Sequence, residues 1–109
     1  MEHMEEHIVR FLSYLSDERR YADNTIAAYR NDLNQLWRFL NSINHQTPIH
    51  TWADVTPTIM DGYAALLRRR DYAPSTIARK IAAVKSFFYY LNAERIVTHD
   101  PTIDLVSPK

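Results

Sequence analysis

Ile77, Ile81, Val84, Phe88 and Leu91 recur at intervals of four, three, four and three residues, which places all of them on one face of an α-helix. Three further stripes of this kind precede it. Ile8, Phe11, Leu12 and Leu15 predict a first helix from about Met4 to Asp17. Ile26, Tyr29, Leu33, Leu36, Trp37 and Leu40 predict a second, which starts after Asp23 or Asn24 as side-chain cap and runs to about Asn44. Thr56-Pro57 supplies a cap and a proline at the first helical position, so Ile59, Tyr63, Leu66 and Leu67 form a third helix that ends near Arg70. Pro74-Ser75 opens the fourth. With one glycine and almost no strand-like alternation, the chain is restricted to an all-α fold of helices packed on helices, an orthogonal or irregular bundle.

The stretch from His45 to Val55 lacks helical period and reads as a connecting loop anchored by Trp52 or Val55. After Asn92 the pattern breaks, and Asp100-Pro101 forbids continued helix. At 109 residues the chain fits one domain, expected over residues 1–103, with 104–109 as the start of a linker. The absence of cysteine excludes disulfides and thiolate metal sites and fits a reducing compartment. No apolar run approaches the roughly 20 residues needed to cross a bilayer. The acidic start Met1-Glu-His-Met-Glu-Glu6 is unlike a signal peptide, so the expected location is cytoplasmic, with no membrane partner.

Two of the helices open on nearly the same words: Tyr21-Ala-Asp-Asn-Thr-Ile-Ala27 and Tyr72-Ala-Pro-Ser-Thr-Ile-Ala78. The second and fourth helices also share a Leu-Asn close, at Leu40-Asn41 and Leu91-Asn92, which suggests two related helical hairpins. Each copy sets small polar groups at a helix start, so a folded pair is expected to offer two helix N-termini to one polyanionic partner.

Catalytic readings find little support. None of the five histidines carries a signature of nucleophile or base around it. His3 and His7 have the spacing of a helical zinc site, but Met4 stands where the metalloprotease pattern needs glutamate, and a solvated N-terminus explains the pair without metal. Glu5-Glu6 and Asp17-Glu18 are neighbours in sequence that point to different helix faces, so neither makes an acid-base couple. Gly62 alone cannot build a phosphate loop. No metal and no cofactor are expected.

Net charge is zero, yet the charges are segregated: acids dominate the start, whereas Arg68, Arg69, Arg70, Arg79, Lys80 and Lys85 share their segment with Asp71 alone. In the fourth helix the apolar stripe leaves Ser75, Thr76, Arg79, Lys80, Ala83 and Ser86 on or near the outer side. Cations neutralise phosphates, hydroxyls and helix-start N–H groups bond their oxygens, and alanine permits close approach. The second helix offers Asn24, Thr25 and Ala28 in the same way. A solvated helix face is the plain alternative for Arg79 and Lys80. Arg68-Arg69-Arg70 reads equally as a phosphate clamp or as cations at the negative end of the third helix. Trp37, Phe39, Phe87, Phe88 and Tyr90 fall at core spacing, with Tyr89 as the exposed exception.

Phe11-Leu-x-Tyr-Leu15, Asn24-Thr25-Ile26 with Tyr29, Asp32-Leu33 and Phe39-Leu40, then Ser75-Thr-Ile-Ala-Arg79 running into Phe87-Phe-x-Tyr-Leu91, together resemble the N-terminal core-binding domain of tyrosine recombinases, the phage integrase and Xer group. The resemblance covers nearly the whole chain, through Asp100-Pro101 to the closing Ser-Pro-Lys109. It implies a compact four- to five-helix SAM-like bundle that forms half of a clamp around double-stranded DNA. Asn24, Thr25 and Ala28 of helix two and Ser75, Thr76 and Arg79 of helix four would then lie at the duplex, with Lys80 and Lys85 added from charge and phase. It also implies a catalytic domain of the same parent chain and other recombinase protomers as partners. The family's catalytic residues belong to that other domain, and none of the seven tyrosines here takes the nucleophile's role. The second helix departs from the pattern in being poor in cations on its predicted outer face. A rival reading is a helical protein-interaction or oligomerisation module whose basic face meets an acidic partner.

Overall fold

Each apolar stripe becomes a helix. In the computed structural model, which describes residues 4–42 and 48–106, α1 spans Met4–Asp17, α2 Asp23–Ser42, α3 Pro57–Arg69 and α4 Pro74–Ala93. A short 3-10 turn at Trp52–Asp54 lies between α2 and α3. The expected all-α bundle is what forms. The predicted end of the second helix at Asn44, His3 of the zinc reading and the closing Ser107-Pro-Lys109 lie outside the described residues.

α4 packs on α1, α2 and α3, and this central place explains why its buried face is wider than the stripe read from sequence. Besides Ile77, Ile81, Val84, Phe88 and Leu91, it buries Lys80, Ala83 and Phe87, a second row at helical spacing. Lys80 and Ala83 were expected on the outer side. They face inward because α2 covers the flank that five apolar positions alone left open to solvent.

Ring packing ties the loop after α2 into this core. Trp52 sits edge-on to Phe87 at 4.8 Å between centroids, and Phe87 lies 5.5 Å from Phe11 of α1. The Trp52 indole N–H donates to the Met4 carbonyl (2.9 Å), so the buried ring leaves no orphan donor. Val55 is buried beside it, as expected for an anchored loop. Asp54 Oδ2 accepts from the backbone N–H groups of His50 (2.8 Å) and Thr51 (3.1 Å), closing the turn. Thr56 Oγ1 then accepts from the Ile59 N–H at 3.2 Å and starts α3, with Pro57 at its first position as the sequence predicts.

The two echoed openings are alike in structure as well as in sequence. Asn24 Oδ1 accepts from the Thr25 N–H (3.1 Å), as expected of an early polar side chain, but both helices begin one residue after an alanine. The Ala22 carbonyl accepts from the N–H groups of Thr25 and Ile26, and the Ala73 carbonyl from those of Thr76 and Ile77. Asp23 and Pro74 are therefore the first residues of their helices, and Asn24 and Ser75 the second.

Beyond α4 the chain folds back rather than leaving the body. Val97, Pro101, Thr102 and Leu105 are buried, so packing reaches Leu105, while Val106 is exposed. Asp100 Oδ1 accepts from the Thr102 N–H (2.9 Å) and hydroxyl (2.6 Å). Lys85 Nζ donates to the carbonyls of Thr102 (2.6 Å) and Leu105 (2.8 Å). Lys85 is thus a fastener of the C-terminal segment, which corrects its expected place on an outward basic face.

α4 ends with Arg95 in the left-handed region at φ 59, the Ile96 N–H bonding the Leu91 carbonyl (2.9 Å) and the Arg95 N–H that of Asn92 (3.1 Å). Helices commonly give this position to glycine, which adopts positive φ without a Cβ clash. Arg95→Gly is expected to stabilise the fold by about 0.5–1 kcal/mol, read as a higher denaturant midpoint at unchanged slope; a lower midpoint would show that the arginine side chain outweighs the backbone gain. The two N–H bonds to Asp54 hold its carboxyl below the ordinary value, that of His50 foremost. A group depressed in the folded state contributes stability above its ordinary value and loses it as pH falls through the folded one. Asp54→Asn should therefore flatten the loss of stability below about pH 4, and superimposable acid limbs for the two chains would contradict this.

Candidate nucleic-acid interface

Polar residues Asn31, Gln35, Arg38 and Ser42 follow one another along α2 at helical spacing and form one wall of a groove of about 560 Å³. The opposite wall comes from the end of α3 and the start of α4, with Leu66, Arg69, Arg70, Tyr72, Thr76, Arg79 and Lys80. Its lining holds five cations and no carboxylate. Such a concave surface concentrates positive potential and attracts an anion.

Beneath the groove lies Asp32, fully buried on α2. Its Oδ2 accepts from Arg79 Nε (3.0 Å), and its Oδ1 from both Arg79 Nη2 (2.9 Å) and Lys80 Nζ (2.9 Å). A carboxylate taken out of water requires such partners. Lys80 Nζ donates also to Gln35 Oε1 (2.7 Å) and lies 5.2 Å from the Tyr72 ring centroid. Its side chain is 5% exposed, whereas that of Arg79 is 44% exposed. The expectation that Lys80 meets a ligand from the surface is therefore corrected: the ammonium is enclosed and committed. Arg79 keeps the exposure that was expected, and its pairing with Asp32 holds it charged.

Gln35 Nε2 donates to the Tyr72 hydroxyl (3.1 Å). This bond, seconded by Arg70 and by the charge of Lys80, holds the Tyr72 phenol below its ordinary value despite the opposing effect of burial. Tyr63, packed 5.2 Å from Phe39, has a buried hydroxyl without a hydrogen-bond partner among the described residues. Burial, followed by the charge of Asp32, pushes its phenol up, so it stays neutral.

The groove gathers some of the expected residues and separates others. Thr76 and Arg79 line it, and Ser75 is exposed at the start of the same helix. Asn24 and Thr25 are exposed and Ala28 half-buried on α2, but none of them lines the groove. Pairing direction explains this: Gln35 meets Tyr72 just before α4, whereas Asp32, nearly a turn earlier on α2, meets Arg79. The helices run in opposite senses where they cross. Asn24 lies eight residues before Asp32, about 12 Å back along the axis. The two echoed starts therefore lie on opposite sides of the crossing rather than side by side.

Arg38, Arg69 and Arg70 join the groove beyond what the sequence-based site included. Arg38 was legible, since it continues the polar row Asn31–Gln35–Arg38–Ser42 opposite the apolar stripe. It also adds a cation to α2, whose outer face was expected to be poor in them. The arginine run divides: Arg69 and Arg70 line the groove, and Arg68, exposed like them, does not.

A second cleft, of about 530 Å³, lies between the ends of α1 and α4 and the C-terminal segment, with Tyr14, Tyr21, Tyr89 and Tyr90 among its walls. Arg19 and Lys85 there are matched by Glu94 and Asp100, so it lacks the single sign of charge that a polyanion needs.

Residues 8–95 match the family described as "Phage integrase, N-terminal SAM-like domain". The chain belongs to that family. It is 45% identical, over 97% of its length, to the tyrosine recombinase XerC of Roseiflexus sp. (strain RS-1), and 47% identical over the same share to XerC of Roseiflexus castenholzii. Tyrosine recombinase XerD of Vibrio cholerae is 32% identical over 94% of the chain. In each case the chain spans about a third of the relative's length, 33%, 32% and 32% respectively. The SAM-like domain of a tyrosine recombinase is thus shown by the match and by the all-α fold together, and no helix among the described residues is long and apolar enough to cross a membrane.

Removing one partner from a buried ion pair leaves an uncompensated charge. Asp32→Ala leaves Lys80 enclosed without its anion and should lower stability by about 3–5 kcal/mol in chemical denaturation, whereas Arg79→Ala, at the exposed end of the network, should cost about 1–2 kcal/mol. Equal losses from the two substitutions would mean that the buried ammonium does not depend on Asp32.

Proposed function

We propose that the chain is the DNA-binding module of a site-specific tyrosine recombinase, clamping duplex DNA at the recombination site without cleaving it. The observation that carries this reading is the all-cation groove between α2, α3 and α4, with Arg38, Arg69, Arg70 and Arg79 exposed along its walls. Phosphates are met by these arginines, with Thr76 and Ser75 as hydroxyl donors at the start of α4. Asn24, Thr25 and Ala28, further back along α2, form an outer contact with the same duplex. The relatives named as recombinases support this role, as does their threefold greater length, which leaves room for the domain that performs strand cleavage. That domain of the same parent chain and other protomers on the DNA are the remaining partners. The proposed setting is the cytoplasm.

Titration with a short duplex over a salt series tests the reading. Affinity should fall steeply as salt rises, and Arg38→Ala and Arg79→Ala should each weaken binding and lower the salt slope by about one. Arg10→Ala, exposed on α1 away from the groove, should change neither. Equal losses from Arg10→Ala and Arg79→Ala, or amide shifts confined to the tyrosine-walled cleft, would instead favour a module that binds protein.

A further inference from the structure

Two cations share the Asp32 carboxylate, and they do so unequally. Lys80 is enclosed, so its charge cancels that of Asp32 inside the fold. The remaining positive charge emerges at Arg79, which is nevertheless fixed by two hydrogen bonds to the same carboxylate. A guanidinium carries five N–H groups. Asp32 takes the Nε edge, which leaves Nη1 and the outer N–H of Nη2 for the groove.

Resting on the DNA-binding reading above, we propose that Asp32 is a positioning residue for DNA recognition: it holds the Arg79 fork in one orientation, and Lys80 is the internal counter-charge that keeps this hold from cancelling Arg79's attraction. Arginine reads guanine through two donors in a fixed fork, so orientation matters for recognition in a way that bare charge does not. A side chain ordered on folding also forfeits less freedom on binding. The echo in the sequence shows how local this device is. Asp32, Arg79 and Lys80 correspond in the other copy to Ala83, Ala28 and Tyr29, each 51 positions away, the offset between Tyr21 and Tyr72. The acid comes from the first copy and both cations from the second, so the device exists only where the two helices cross.

Charge and orientation predict opposite outcomes for substitutions. The probes are a duplex selected by the unsubstituted chain from a random pool and a scrambled duplex of the same length and composition. Arg79→Lys keeps the charge and loses the fork, so the salt slope should stay the same while the preference for the selected duplex falls about tenfold. Asp32→Asn removes an acid, so the scrambled duplex should bind as tightly or more tightly while the preference falls to a similar degree. Arg79 is exposed, so Arg79→Lys carries the test even if Asp32→Asn does not fold. Preference retained by folded Arg79→Lys, or binding by the unsubstituted chain with no preference for any selected duplex, overturns the positioning role and leaves the clamp intact. Failure of the unsubstituted chain to bind any duplex overturns the DNA-binding reading itself.

Discussion

The Asp32 carboxylate has no exposed surface, and such an ion is tolerated only where its lone pairs and charge are both answered. Three bonds from Arg79 and Lys80 answer them, and each joins α2 to α4. Apolar contact between two helices tolerates some sliding, whereas a bidentate guanidinium and a buried ammonium on one carboxylate fix rotation and height together. The groove above inherits its shape from this crossing. Arg38 faces the start of α4 because Asp32, six residues earlier, is tied to it.

Around this polar link the remaining core is aromatic and aliphatic, and it positions the other wall. Trp52 reaches from the loop after α2 to the rings of α4 and to the first turn of α1, so the segment that leads into α3 has little freedom. α3 then starts at a defined point, Thr56-Pro57, and delivers Arg69 and Arg70 to the groove at its end. Lys85 performs a related task on the far side, where its ammonium bonds two carbonyls of the segment that ends at Leu105. Of the basic residues in α4, two are therefore committed to the fold and one to the surface.

Helix positions were legible because each stripe keeps its period for several turns and because proline marks two of the starts. The core role of the helical aromatic positions followed from the same spacing, Trp52 and Val55 stood out as apolar anchors in a loop without period, and Tyr89 is exposed as expected. Burial of Lys80 and Ala83 was not legible from the apolar stripe of α4, since a stripe marks the centre of a buried arc and not its width. Width depends on how many neighbours a helix has, and α4 has three. A clue did exist in α2: Asp32 sits at the edge of its apolar face, between Tyr29 and Leu36 at helical spacing, where a carboxylate calls for a cation from another element. Lys85 gave no such sign, because its partners are backbone carbonyls, which every residue possesses.

The repeated opening Tyr-Ala-x-x-Thr-Ile-Ala encodes a local event, an alanine carbonyl that receives the first helical N–H groups, and it does this equally well in both copies. It does not encode a direction in space. Because α2 and α4 cross in opposite senses, similar starts end up on opposite sides of the crossing, and what meets in the groove is the unlike part of each copy: a polar row from the middle of α2 and the cations Arg79 and Lys80 in the second turn of α4. Divergence after the shared words is therefore what creates the candidate interface. An exact duplication would have kept only one half of the pair, either an alanine at position 32 facing Arg79 or Asp32 facing an alanine at position 79, and would have left a charge at the crossing without its partner.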